Sequence, residues 1–162
     1  MEGAGGTTYV RMMIDILEKK ASHLDKILEY TKVQEELLKQ ESFQEEEFFL
    51  QVEKKEGLIK KLSEFDDGFQ SIYDRMGDEL AGNKEKYAEE IKKMQELISR
   101  ITDLGVMLTA LEQKNHSNME LVLRDKKKGI KQFKVSKQTA DRYYKNMIGM
   151  QTGASYFMDQ KK

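Results

Sequence analysis

The sequence contains no cysteine, no proline and no tryptophan. Without cysteine there is no disulfide framework and no thiolate metal site, which fits a reducing compartment. Without proline nothing locks φ or withdraws a backbone donor, so helices can run long. No stretch approaches the roughly 20 apolar residues that a membrane-spanning helix needs. The opening MEGAGGTT has neither the basic region nor the apolar run of a signal peptide. The expectation is a cytoplasmic protein without membrane insertion.

Enzyme signatures are missing too. The chain has no phosphate-binding P-loop, no GxGxxG and no GxSxG. Its histidines, His23 and His116, each lack a second ligand at metal spacing and read as ordinary helix-surface or seam residues. Acidic residues lie where solvated helix faces are expected, and a thin bundle seldom offers the concave site that paired catalytic carboxylates need. No catalysis, metal or cofactor is expected.

What is present is charge and helical periodicity. Of 162 residues, 35% are charged and 38% hydrophobic, too apolar for a disordered chain and too polar for a thick globular core. A net charge of −1 conceals an asymmetry. Residues 1–123 carry 17 Lys+Arg against 26 Asp+Glu, a net of −9, and residues 124–162 carry 11 against 3, a net of +8. An acidic body thus bears a basic tail.

Ile14, Leu17, Ala21, Leu24, Leu28, Thr31 and Leu38 recur at steps of three and four, which places them on one face of a helix from about residue 8 to 39. Ser42 with Glu45 reads as a capping box that starts a second helix near Phe43. That helix carries Phe48, Val52, Ile59, Leu62, Phe65, Phe69, Ile72 and Met76, with Lys55 as the one polar gap. MGDELAGN, residues 76–83, contains two glycines and reads as a loop. A third helix, to about residue 123, shows Tyr87, Ile91, Met94, Ile98, Ile101, Leu104, Leu108, Leu111, Met119 and Val122. Asn115 and Asn118 lie on or beside its stripe, either buried to fix register or exposed. The predicted fold class is all-α: long antiparallel helices in a narrow, coiled-coil-like bundle over residues 1–123, with a marginally ordered basic tail over 124–162. A homodimer could cover whatever apolar surface stays open.

Residues 125–137 show no helical stripe, although Phe133 and Val135 alternate with charge. Farther on, Ala140, Tyr143, Met147, Met150 and Ala154 line one face if helical, with Tyr144 and Phe157 alongside. Gly149 and Gly153 weaken that helix, which suits folding against a partner.

YVRMMIDILEKKASHLDKILEYTKVQEELLK, then FLQVEKKEGLIKKLSEFDD with Lys55-Glu56, Leu58, Ile59 and Leu62, then LTALEQKNHSNMELVL with Asn115, and finally SYFMDQKK, together resemble the FlgN family of flagellar export chaperones. The resemblance covers most of the chain, from about Tyr9 onward. It implies a narrow antiparallel helical structure without catalytic activity. It also implies cytoplasmic binding of hook-associated proteins, those of the hook–filament junction. The family prevents their premature assembly and delivers them to the flagellar type III export apparatus. In the family the C-terminal segment contacts the client, which carries over to Tyr143, Tyr144, Met147, Ile148, Met150, Tyr156, Phe157 and Met158 as partner-binding residues. The long basic stretch is less typical of the family. The terminal aromatics could also dock on the chain's own bundle.

Two other functions compete. A structural coiled-coil adaptor would homo-oligomerise through its seam, but would sustain heptads beyond the roughly 30–40 residues of each stripe. A polyanion binder would use Lys126, Lys127, Lys128, Lys131, Lys134 and Lys137 on phosphates, with Phe133, Tyr143 and Tyr144 stacking on bases. The acidic body opposes this, and no nucleic-acid partner is expected.

Overall fold

The computed structural model describes residues 2–125, which form three helices: α1 (Glu2–Lys39), α2 (Glu45–Gly82) and α3 (Ala88–Arg124). No strand occurs among the described residues, and none of these helices is long and apolar enough to cross a membrane. The all-α bundle read from the periodicity is the observed fold. Consecutive helices run in opposite directions, each roughly 55 Å long at 1.5 Å per residue.

Both turns differ from expectation, for reasons of packing. Ser42 does not cap α2; the N-cap is Gln44, and it makes no side-chain capping bond. The helix start is fixed instead by apolar contact. Phe43, just before the N-cap, meets Phe48 in the first turns, with ring centroids 5.5 Å apart. This is a hydrophobic staple. Glu45, Glu46 and Glu47 fill the first turn, where negative charge suits the positive helix end.

The glycine-containing stretch 76–83 is not a loop. Helix α2 continues through Gly77 to Gly82, because doing so buries Met76 and Leu80. The connection is residues 83–87. Asn83 Nδ2 donates to the Glu79 carbonyl at 2.8 Å, closing the helix end. The buried Tyr87 donates its hydroxyl to Glu79 Oε1 at 3.1 Å, tying the turn back to α2. Helix α1 likewise begins earlier than its stripe, at Glu2, and carries Gly5 and Gly6 in its first turns.

Helix α1 is the shared neighbour. It packs along both α2 and α3, whereas α2 and α3 do not pack along each other. Its edge toward α3 is marked by ion pairs that climb together: Glu18 with Lys93 at 3.2 Å, Asp25 with Arg100, and Glu35 with Lys114 at 2.8 Å. The rising order makes α1 and α3 parallel neighbours. The Lys114 hydrogen bond holds the Glu35 carboxyl below its ordinary range, against the opposing effect of burial. These pairs are exposed or partly so and contribute at most about 1 kcal/mol each. Toward α2, Lys20 reaches Asp66 at 2.5 Å in a mostly buried pair. His23 meets Phe65 edge-on at 5.0 Å.

Among the described residues the apolar core falls into two parts. The larger joins Met13, Leu17, Leu24 and Ile27 of α1 to Leu62, Phe69 and Met76 of α2 and to Met94, Ile98, Ile101 and Leu108 of α3. The smaller sits at the α1–α2 turn and unites Leu37, Leu38, Phe48, Val52 and Met119. Each buried side chain of this size contributes roughly 1.5–3 kcal/mol.

Candidate functional site

Between the two apolar clusters the core turns polar. Thr31 and Gln34 of α1, Lys55 of α2, and Glu112 and Asn115 of α3 are all fully buried. The Lys55 ammonium donates to Gln34 Oε1 at 2.8 Å and to Glu112 Oε1. The Thr31 hydroxyl has one proton and two acceptors in reach: the Ile27 carbonyl at 2.6 Å and Glu112 Oε1 at 3.0 Å. Asn115 Nδ2 donates to the Thr31 carbonyl at 3.1 Å. Glu112 Oε1 therefore gathers a charged donor and a hydroxyl, while Glu112 Oε2 and Asn115 Oδ1 have no partner among the described residues.

Chemically this layer holds a charge pair; it does not expose one. Its members are fully buried, and no group of three His, Cys, Asp or Glu residues able to hold a metal occurs among the described residues. Its physical effect is on register. Sliding or rotating any helix would strip Lys55 or Glu112 of its counter-charge in a low-dielectric core, a penalty of several kcal/mol per ion.

Burial lowers the Lys55 pKa from the ordinary 10.5 to about 8, against the opposing attraction of Glu112. Between about pH 8 and 10.5 the unfolded chain holds a proton that the folded chain has released. Unfolding then takes up a proton, so stability rises with pH across that window. Below it, both forms are charged and the cost of burial is present in full. The stability of the natural chain relative to Lys55→Met should therefore rise through this window, by up to ~1.4 kcal/mol per pH unit. Urea titrations at a series of pH values check this; a flat difference would contradict it.

Part of the layer was visible in the sequence. Lys55 stood out as a polar gap in an apolar stripe, and Asn115 as either buried or exposed; the structure buries both, and leaves Asn118 half-buried. Glu112, Gln34 and the nearly buried Lys20 were not singled out. A signal for Glu112 existed: Ile98, Gly105, Glu112 and Met119 recur every seven residues in the buried set. Of the histidines, His23 Nδ1 lies 2.9 Å from the Lys19 carbonyl, and His116 faces Glu120 at 3.5 Å.

A broad, shallow depression of about 520 Å³ lies between α1 and α3, bordered by Leu28, Met107 and Leu111 and by the Glu35–Lys114 pair. It is a surface, not a cleft. The partner-binding residues read from the sequence, Tyr143, Tyr144, Met147, Ile148, Met150, Tyr156, Phe157 and Met158, lie outside the described residues.

Fold and site together define a slender all-α bundle locked by a buried ionic layer. Comparisons with protein-family models, curated proteins and solved structures returned no match.

Proposed function

We propose that the protein is a non-catalytic cytoplasmic chaperone of flagellar type III export. It binds hook–filament junction proteins through its C-terminal segment, prevents their premature assembly and delivers them to the export apparatus. The observation that carries this reading is compositional. Tyrosine, methionine and phenylalanine make up 8 of the 39 residues of a basic segment, 124–162, attached to an acidic helical scaffold. The resemblance of the helices and of SYFMDQKK to the FlgN family supports the particular client.

The physics of such a task fits these residues. A secreted subunit that polymerises through helices must have their apolar faces covered until export. A segment rich in tyrosine and methionine supplies adaptable apolar area. Aromatic anchors dominate the energy of such contacts. The basic residues of the segment steer it toward an acidic client surface and add little to final affinity.

The test is assembly. A purified hook–filament junction protein is allowed to polymerise while light scattering is followed. Equimolar protein should suppress the rise, and the Tyr156→Ala/Phe157→Ala/Met158→Ala variant should not. A scattering trace unaffected by an excess of the natural chain would overturn the reading.

A further inference from the structure

The three described helices have the arrangement of a square bundle with one corner unassigned. In such a bundle adjacent axes lie about 10 Å apart and diagonal ones about 14 Å, too far for backbones to pack but close enough for long side chains to meet. Helix α1 packs on both α2 and α3, which do not pack along each other. Yet Lys55 of α2 reaches Glu112 of α3 through the core. Helices α2 and α3 are therefore diagonal, and the fourth corner is bounded by these two.

Both helices carry an edge suited to a neighbour there. On α3, Lys93, Arg100 and Lys114 repeat at multiples of seven on the edge that is ion-paired to α1. Thr102, Thr109 and His116 repeat at seven on the other edge, about 200° further round at 100° per residue. Although this edge faces away from α1, all three are half-buried, and Gly105 beside them is buried. On α2, Lys54 lies over the Tyr30 ring and Gly68 faces Ile16, so the edge of Lys54, Lys61 and Gly68 looks toward α1. The far side of α2 presents exposed Glu53, Glu56, Asp67 and Asp74. Among the described residues this corner thus has one wall of small side chains and one acidic rim.

We propose that this corner is the docking groove of the chain's own C-terminal segment, Gln138 to Met158, which packs there as the fourth helix. Length, charge and size agree. Helix α3 ends at Arg124, and residues 125–137 leave ample chain to turn back before Gln138 to Met158, whose 21 residues span roughly 30 Å of the roughly 55 Å corner if helical. The chain leaves α3 at the end where α2 begins, so a returning segment runs down the corner beside both. Residues 126–162 carry 10 basic and 2 acidic residues, complementary to the acidic rim. The stripe of Tyr143, Met147 and Met150, with Tyr144 and Phe157 beside it, is large where Thr102, Gly105 and Thr109 are small. Large against small across a seam is how helices interdigitate. The same segment carries the residues assigned to client binding, so a client would displace it from the corner; the cross-links are read without client, and their failure leaves the client-binding test untouched.

The test uses the full chain, in which introduced cysteines are unique because it has none of its own. Met147→Cys is paired in turn with Thr102→Cys, Thr109→Cys and His116→Cys, and with Met107→Cys on the α1-facing edge as control. A short bis-maleimide should yield intramolecular product at least tenfold more efficiently at one of the first three than at the control. A second measurement needs no substitution: zero-length carbodiimide coupling should join tail lysines, among them Lys134, Lys137 and Lys145, to Glu53, Glu56, Asp67 or Asp74. Cross-linking that is chiefly between chains would overturn the proposal, since a second copy would then fill the corner. So would intramolecular product no greater than the control together with carbodiimide links scattered over all acidic residues.

Discussion

Replacing Glu112 with alanine should destabilise the protein by about 3–5 kcal/mol, because it leaves the Lys55 charge buried without its counter-charge. Thr31 loses an acceptor in the same step. Domains of this size are stable by only about 5–15 kcal/mol, so the urea midpoint should fall steeply. The double variant Lys55→Met/Glu112→Leu should recover most of the loss and could exceed the natural chain by ~1–4 kcal/mol, since neither charge then has to leave water. The large positive coupling in that cycle is the signature of a desolvated pair. A Glu112→Ala cost under about 1 kcal/mol would mean that the pair behaves as a solvated surface bridge. If the layer fixes register, the double variant should also show broader amide signals than the natural chain, despite its recovered stability.

The second large effect separates the two apolar clusters. Phe69 and Phe48 are both almost wholly buried, each among aromatic neighbours: Tyr73 stacks on Phe69 at 6.3 Å, and Phe43 and Phe49 flank Phe48. Either change to alanine removes a side chain worth about 3–5 kcal/mol. The consequences should differ. Phe69 belongs to the long cluster that joins all three helices, so Phe69→Ala should lower protection from hydrogen exchange along the whole bundle. Phe48 lies beyond the polar layer, in the small cluster at the α1–α2 turn. Phe48→Ala should release the C-terminal end of α1, the start of α2 and the end of α3 by local opening, with slow exchange retained around Met94 to Leu104. Uniform loss of protection in both variants would show that the polar layer does not divide the core.

The helices were legible because their apolar residues repeat over many turns, and a sustained period survives local exceptions. Gly77 and Gly82 were misleading for the same reason that glycine is an imperfect stop signal. A cost of about 1 kcal/mol is offset when continuing the helix buries Met76 and Leu80. At Ser42 the local capping pattern lost to a contact that depends on where the chain goes next, the packing of Phe43 on Phe48. Lys55 and Asn115 were visible as polar residues at core positions. Glu112 was traceable only through the seven-residue spacing it shares with Ile98, Gly105 and Met119, and Gln34 was not, because its place inside the bundle is decided by partners on other helices. Which helices touch was hidden as well: a short α2–α3 connection suggested a packed hairpin, yet α1 is the neighbour of both.

The chaperone reading predicts that the chain's affinity for its client resides in the last aromatics. Titration calorimetry of the full-length protein against a purified hook–filament junction protein tests this most directly. Micromolar or tighter binding is expected, weakened by about 30-fold or more in Tyr156→Ala/Phe157→Ala/Met158→Ala, as loss of an aromatic anchor worth about 2 kcal/mol or more requires. Absence of binding by the natural chain, or equal affinity in the two proteins, would contradict the account.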